Sequence, residues 1–160
     1  MRTLDKEFFI SQQRYVIDLL EETSKIASKP ASTPMDPNLK LRKAKEDAAV
    51  DKEMYQRLVG RLIYLSHTRL DIAYAVSVIS QFMHSPKEVH LQAAHRVLQY
   101  LKGMPGKCIL FRVNRNLVLE AYIDADYAGS IVDRKSNSGY CTFLGGNLVT
   151  WRSKKQRVVA

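Results

Sequence analysis

Residues 99–113 read QYLKGMPGKCILFRV. Up to Gly103 the apolar residues recur every three or four positions, as on one face of a helix. Beyond it they come in short β-rich runs bounded by turn residues. The change of texture at this point predicts an α+β fold, with a helical N-terminal region and a sheet-forming C-terminal third.

Working upstream, SPKE at 85–88 reads as a helix start. Ser85 is the expected cap, Pro86 takes the first turn and Glu88 completes a capping box. That helix carries Leu91, Leu98 and Leu101, and Gly103 is its expected left-handed terminator. Before it, DIAYAVSVISQFM (71–83) aligns Ile72, Val76 and Ile79. MYQRLVGRLIYL (54–65) aligns Met54, Leu58, Leu62 and Leu65. Nearer the N-terminus, KEFFIS (6–11) reads as a strand, and Ser11 can cap a helix in which Tyr15, Leu19 and Leu20 share a face. KPASTPMDPN (29–38) holds three prolines and reads as an extended linker. The charged stretch 39–53 reads mainly as loop.

Downstream, KCILFRV, LVLEAYI, GYCTFLG and NLVTWRS are four expected strands. Turn signals stand at 114–116, 136–139 and 145–147, and Gly145-Gly146 suits a hairpin. Several strands with no helix after them leave one sheet face uncovered. The expectation is a truncated domain, or one completed by a partner, whose strand edges could self-associate.

The chain has 160 residues, 46% hydrophobic and 26% charged, with a net charge of +9. This composition fits a folded domain and favours a polyanionic partner, nucleic acid or an acidic membrane surface. Cys108 and Cys141 lie in apolar stretches and are expected to be buried free thiols. Asp5, Lys6 and Glu7 interrupt any signal-peptide core, and no run approaches the length of a membrane span. The expected location is therefore inside the cell, in cytoplasm or nucleus.

AYIDADYAGS, residues 121–130, raises the question of chemistry. Asp124 and Asp126 end a β-like run. They could ligate a hard cation such as Mg²⁺, or form a solvated strand end. By alternation Glu120, Tyr122 and Asp124 share a face. Asp126 joins them only if the strand continues, and Asp133 lies in the expected loop. No Asp or Glu follows Asp133. Two-metal chemistry needs several converging carboxylates, so this chain supplies one or two ligands, and a metal site at Asp124 is incomplete. Arg134, Lys135, Arg152, Lys154, Lys155 and Arg157 form a basic counterpart with Trp151 among them. Arg152, Lys154, Lys155 and Arg157 are the candidate nucleic-acid-binding residues, with Trp151 as a stacking ring or as core. His67, His84, His90 and His95 lack metal-site spacing. No nucleophile elbow, Walker loop or Rossmann glycine set is present.

MYQRLVGRLIYLSHTRLDIAYAVSVISQFMHSPKEVHLQAAHRVLQYLKG resembles the C-terminal part of reverse transcriptase in Copia-type (Ty1/Copia) retrotransposon Pol polyproteins. FFISQQRYVIDLLEET and KPASTPMDPNLKL resemble the segments before it. The stretch from Ala121 onward resembles the opening of ribonuclease H. The resemblance covers essentially the whole chain. It implies three segments: 1–50 reverse transcriptase-like, 51–104 a helical connection, and 105–160 a truncated ribonuclease H-like sheet. It also implies that Asp124 corresponds to the first metal-binding carboxylate. The helix S-S-x-E-A-E-Y and the Y-x-D-D hairpin of the family have no counterpart in residues 1–160. Leu70 stands where the family usually has Pro.

The implied protein is a catalytically inactive Pol segment, with Asp124 vestigial and no cofactor expected, although Mg²⁺ serves the intact family enzyme. Its implied partner is an RNA–DNA hybrid or other nucleic acid. Copia-derived chains of this kind also resemble proteins catalogued as secreted RxLR-type effectors, expected to suppress host cell death and immunity by binding a host protein. The sequence contains no exact R-x-L-R; RTLD, RVLQ and RNLV are the nearest forms.

Overall fold

The computed structural model of the chain describes residues 7–36, 41, 48–125 and 135–159. Asp126, Asp133 and Arg134 lie outside the described residues, as do the side chains of Lys135, Lys155 and Arg157. The architecture is α+β. It divides into two compact units, Ser11–Lys107 and Met1–Ile10 with Cys108–Ala160. The strand at 7–10 thus groups with the C-terminal sheets rather than with the residues that follow it.

The helical unit begins with α1 (Gln13–Glu22). The Ser11 hydroxyl accepts the Gln13 N–H at 3.2 Å. Val16, Leu19 and Leu20 are the buried residues of α1, while Tyr15 is half-buried and tilted against Tyr64, 5.3 Å between rings. Next, α2 (Lys52–Leu65) starts two residues before the Met54 expected from periodicity, because Asp51 caps it. The Asp51 carboxylate accepts the N–H groups of Glu53 and Met54 at 2.9 and 3.2 Å, and its charge suits the positive end of the helix. In α3 (Leu70–Ile79), Ile72, Ala75, Val76 and Ile79 are buried, and a short tight turn, Ser80–Phe82, extends it.

The start of α4 (Glu88–Gly103) departs from expectation. Ser85 and Pro86 lie outside the helix. Lys87 is extended, forming a short bridge to Ala49, so the first turn begins at Glu88. The reciprocal cap comes from His90, whose Nδ1 accepts the Lys87 N–H at 2.9 Å. That bond makes Nδ1 the unprotonated nitrogen, so Nε2 donates to the Leu41 carbonyl at 2.9 Å. The ring also stacks on Phe82. Gly103 is likewise not a left-handed terminator. It is the last helical residue, and among the described glycines only Gly145 and Gly146 have positive φ.

Every buried apolar side chain among the described residues lies between Val16 and Leu101. Leu58, Leu62, Leu65, Ile72, Ile79, Leu98 and Leu101 meet here, and each such burial is worth about 1.5–3 kcal/mol. Two polar devices close the core. Tyr55 donates its hydroxyl to the Ile79 carbonyl at 2.8 Å, and burial pushes its phenol up. Arg69, 2% exposed, forks onto Asp71 at 2.9 and 2.8 Å and donates to the Met104 carbonyl at 2.9 Å. Tyr100 and Lys107 complete the ring around Asp71 at 2.9 and 3.2 Å.

The sheet unit contains two sheets. In the first, β1 (Glu7–Ile10) pairs antiparallel with β2 (Ile109–Arg112), bringing Phe8 opposite Phe111 and Glu7 opposite Arg112. Strands β3 (Leu119–Ala125), β4 (Lys135–Leu144) and β5 (Asn147–Val159) form the other as an antiparallel meander. The expected turn at 136–139 is part of β4. Gly139 there faces Asp124 on one side and Ser153 on the other, so a residue read as punctuation serves as an unbranched mid-strand position. Gly145 and Gly146, at φ +55° and +75°, do form the β4–β5 turn. The thiols depart from expectation: Cys108 is exposed, just ahead of β2, and Cys141 is half-buried in β4. Among the described residues no helix is long and apolar enough to cross a membrane.

Candidate nucleic-acid interface

The three-stranded meander carries both sets of residues singled out in the sequence, and its register decides which of them act together. Across the β4–β5 turn, Leu144 faces Asn147 and Phe143 faces Leu148. Then the register shifts by one, and Thr142 faces Thr150. The unmatched residue is Val149, a bulge on β5. Beyond it Cys141 faces Trp151, Tyr140 faces Arg152 and Ser138 faces Lys154. Directly opposed residues project to the same side of a sheet. On β3, Ala121, Ile123 and Ala125 face Thr142, Tyr140 and Ser138.

One face is therefore built from Ile123, Tyr140, Arg152 and Lys154, floored by small and polar residues. Its Thr142 and Thr150 hydroxyls are hydrogen-bonded at 2.6 Å, and Gln156 donates to the Ser138 hydroxyl at 2.7 Å. Arg152 and Lys154 are exposed, and neither makes an ion pair among the described residues. The other face carries Glu120, Tyr122, Asp124, Cys141, Phe143 and Trp151. There Tyr122 meets Phe143 edge-on, 5.8 Å between rings.

Asp124 is thus separated by the sheet itself from Arg152 and Lys154. Trp151 is half-buried and on the Asp124 side, so the ring that shares a face with Arg152 is Tyr140. Nothing in the local composition marked Tyr140; only the bulge places it there. The backbones of Lys155 and Arg157 continue β5.

Asp124 is exposed, opposite Gly139. Glu120 shares its face but lies four residues away, about 13 Å along the strand, too far to bind the same ion. Among the described residues there is no group of three or more His, Cys, Asp or Glu side chains that could hold a metal. Among the described residues, Asp124 by itself does not supply the several converging carboxylates of a two-metal site. His90 is committed to its two backbone partners. His95 is partly buried, which lowers its basicity, with Lys25 adding to the effect and Glu88 opposing it.

No family model matches the chain, and no solved structure matches it. Curated relatives do. The chain is 47% identical over 150 residues to the Retrovirus-related Pol polyprotein from transposon RE1 of Arabidopsis thaliana, covering 94% of this chain and 10% of that protein. It is 38% identical over 162 residues to the Pol polyprotein from transposon TNT 1-94 of Nicotiana tabacum, covering 97% of this chain and 12% of the relative. It is also 46% identical over 107 residues to Secreted RxLR effector protein 161 of Plasmopara viticola, covering 66% of this chain and 75% of that one. The chain thus spans about a tenth of the length of the first polyproteins it matches. Over nearly its whole length the chain is thus similar to a segment of Copia-type retrotransposon Pol polyproteins.

Proposed function

We propose that this transposon-derived chain holds nucleic acid through its sheet unit without cutting it. The observation that carries the reading is the separation of charge across the meander. Arg152 and Lys154 stand on one face without an ion pair among the described residues, in a chain of net charge +9, while Asp124 stands on the other without a second carboxylate in reach among the described residues. On this reading the meander is the opening of a ribonuclease H-like sheet, the 160 residues are not an enzyme, and they act inside the cell. Binding is electrostatic at root and weakens steeply with salt.

Incubating the purified chain with an RNA–DNA hybrid and Mg²⁺ tests both halves. The expected outcome is retention of the hybrid at low salt and no cleavage. Cleavage that disappears in Asp124→Asn would overturn the non-catalytic half. Failure to retain any nucleic acid at low salt would overturn the other.

The match to an RxLR effector supports a second reading, in which the chain is secreted and acts by binding a protein of a plant host. Expression in leaf tissue beside a cell-death elicitor separates the two. Suppression of death favours the effector reading, and an unaltered response counts against it.

A further inference from the structure

The face of the meander bearing Tyr140, Arg152 and Lys154 has the chemistry of a stacking platform, and we propose that its ligand is single-stranded RNA or DNA rather than a duplex. The proposal rests on the nucleic-acid reading above and assigns the ligand class and the residues that select it.

Tyr140 is 44% exposed although it sits in the central strand, and its cross-strand neighbour Ile123 on β3 is 80% exposed. Rings and apolar side chains on an open sheet offer a surface on which bases lie flat. A base within a duplex has both π faces covered by its neighbours, so only an unstacked strand can use such a surface. Arg152 stands directly across from Tyr140 on β5, and Lys154 follows two residues on. Their Cα atoms are about 7 Å apart along the strand, a separation that successive phosphates of an extended strand can match. The bases would then lie over Tyr140 and Ile123, with the backbone along β5. The hydroxyl pair Thr142–Thr150 and the Ser138–Gln156 bond border the platform with neutral polar groups. Glu120 and Asp124, which would repel phosphate, face the other way. Stacking without base-edge contacts tolerates any sequence, so the expected binding is non-specific.

Fluorescence anisotropy with a labelled oligonucleotide of about 15 nucleotides, a length that one small sheet module can engage, tests this. The probes are oligo(U), oligo(dT) and an RNA–DNA hybrid of equal length. The single strands should bind more tightly than the hybrid. Tyr140→Ser leaves the charge unchanged and should weaken single-strand binding about ten-fold, with little effect on the hybrid, and Tyr140→Phe should restore it. The pair Arg152→Gln and Lys154→Gln should flatten the salt dependence of single-strand binding by a slope of about 1.4. Lys52→Gln with Arg57→Gln makes the same charge change on α2 and should leave that slope nearly unaltered. Photocrosslinking of the wild-type chain to iodouridine-containing RNA supplies a readout independent of variant folding, with crosslinks expected at Tyr140. Crosslinks confined to residues 11–107 overturn the platform. So does a folded Tyr140→Ser that binds single strands like wild type, or equal affinity for hybrid and single strand; in those cases the general nucleic-acid reading survives. If no probe is retained at low salt, both readings fall together.

Discussion

Asp71 shows how one carboxylate can organise an entire helical unit. Burial alone would raise its pKa, but the hydrogen bond and charge of Arg69, with Tyr100 and Lys107, outweigh that and hold it at about 2, below the ordinary 3.8. A depressed carboxylate stabilises the fold above its unfolded value. Acidification from about 4 towards 2 should therefore remove about 2 kcal/mol of stability, measurable as a fall in urea midpoint that Asp71→Asn abolishes. At neutral pH Asp71→Asn should itself cost about 3 kcal/mol, because it leaves the Arg69 guanidinium buried without a counter-charge. His95 works in the opposite sense. Its basicity is lowered in the fold by burial and by Lys25, so the unfolded chain binds the proton more readily. Stability should decline as pH falls below 6.5, down to the depressed folded value. That decline should vanish in His95→Gln, read by thermal melts at successive pH values.

The β4–β5 hairpin shows what one surplus residue does to an element. A two-residue turn alone would set Tyr140 opposite Trp151, whereas the bulge at Val149 sets it opposite Arg152. Because side chains alternate with period two, a shift of one moves every later residue of β5 to the other face. Inserting one alanine between Thr150 and Trp151 should carry Arg152 and Lys154 to the Asp124 side and bring Trp151 opposite Tyr140. The check is loss of the proposed Tyr140-dependent single-strand binding with the far-ultraviolet signature of the sheet retained. The turn itself is a graded case. Both glycines have positive φ, but a Cβ at Gly145 would lie 3.0 Å from the Asn116 carbonyl oxygen, and one at Gly146 would meet open space. Gly146→Ala should cost about 1–2 kcal/mol for its left-handed backbone alone. Gly145→Ala should cost more, and chemical denaturation of the two variants gives the order.

At the scale of the molecule, stability is unevenly shared. The buried apolar side chains among the described residues belong to the unit Ser11–Lys107, while β1 and β3 expose every residue they contain. Amides of α2 and α4 should exchange with solvent most slowly and those of the two sheets earlier, by local opening. Hydrogen–deuterium exchange followed by mass spectrometry resolves this directly. The same contrast explains how much could be read in advance. Periodicity of three to four and of two located the helices and strands, because each element must bury a stripe or a face whatever its neighbours do. Gly145-Gly146 announced its turn because few other residues tolerate that backbone. Net charge and the position of Asp124 in a strand were equally legible. Tertiary structure alone decided that His90, rather than Ser85, caps α4, since the choice depends on Ala49 and Leu41 arriving from distant parts of the chain. It also decided that Arg69 is buried and that β1 joins β2. Above all it decided that Arg152 and Lys154 occupy one side of the meander and Asp124 the other. Local sequence specifies what an element is, but pairing register and long-range polar partners depend on contacts between segments far apart in the chain. In this protein the bulge at Val149 places Tyr140 with Arg152, and the pairing of β3 with β4 puts Asp124 on the opposite face.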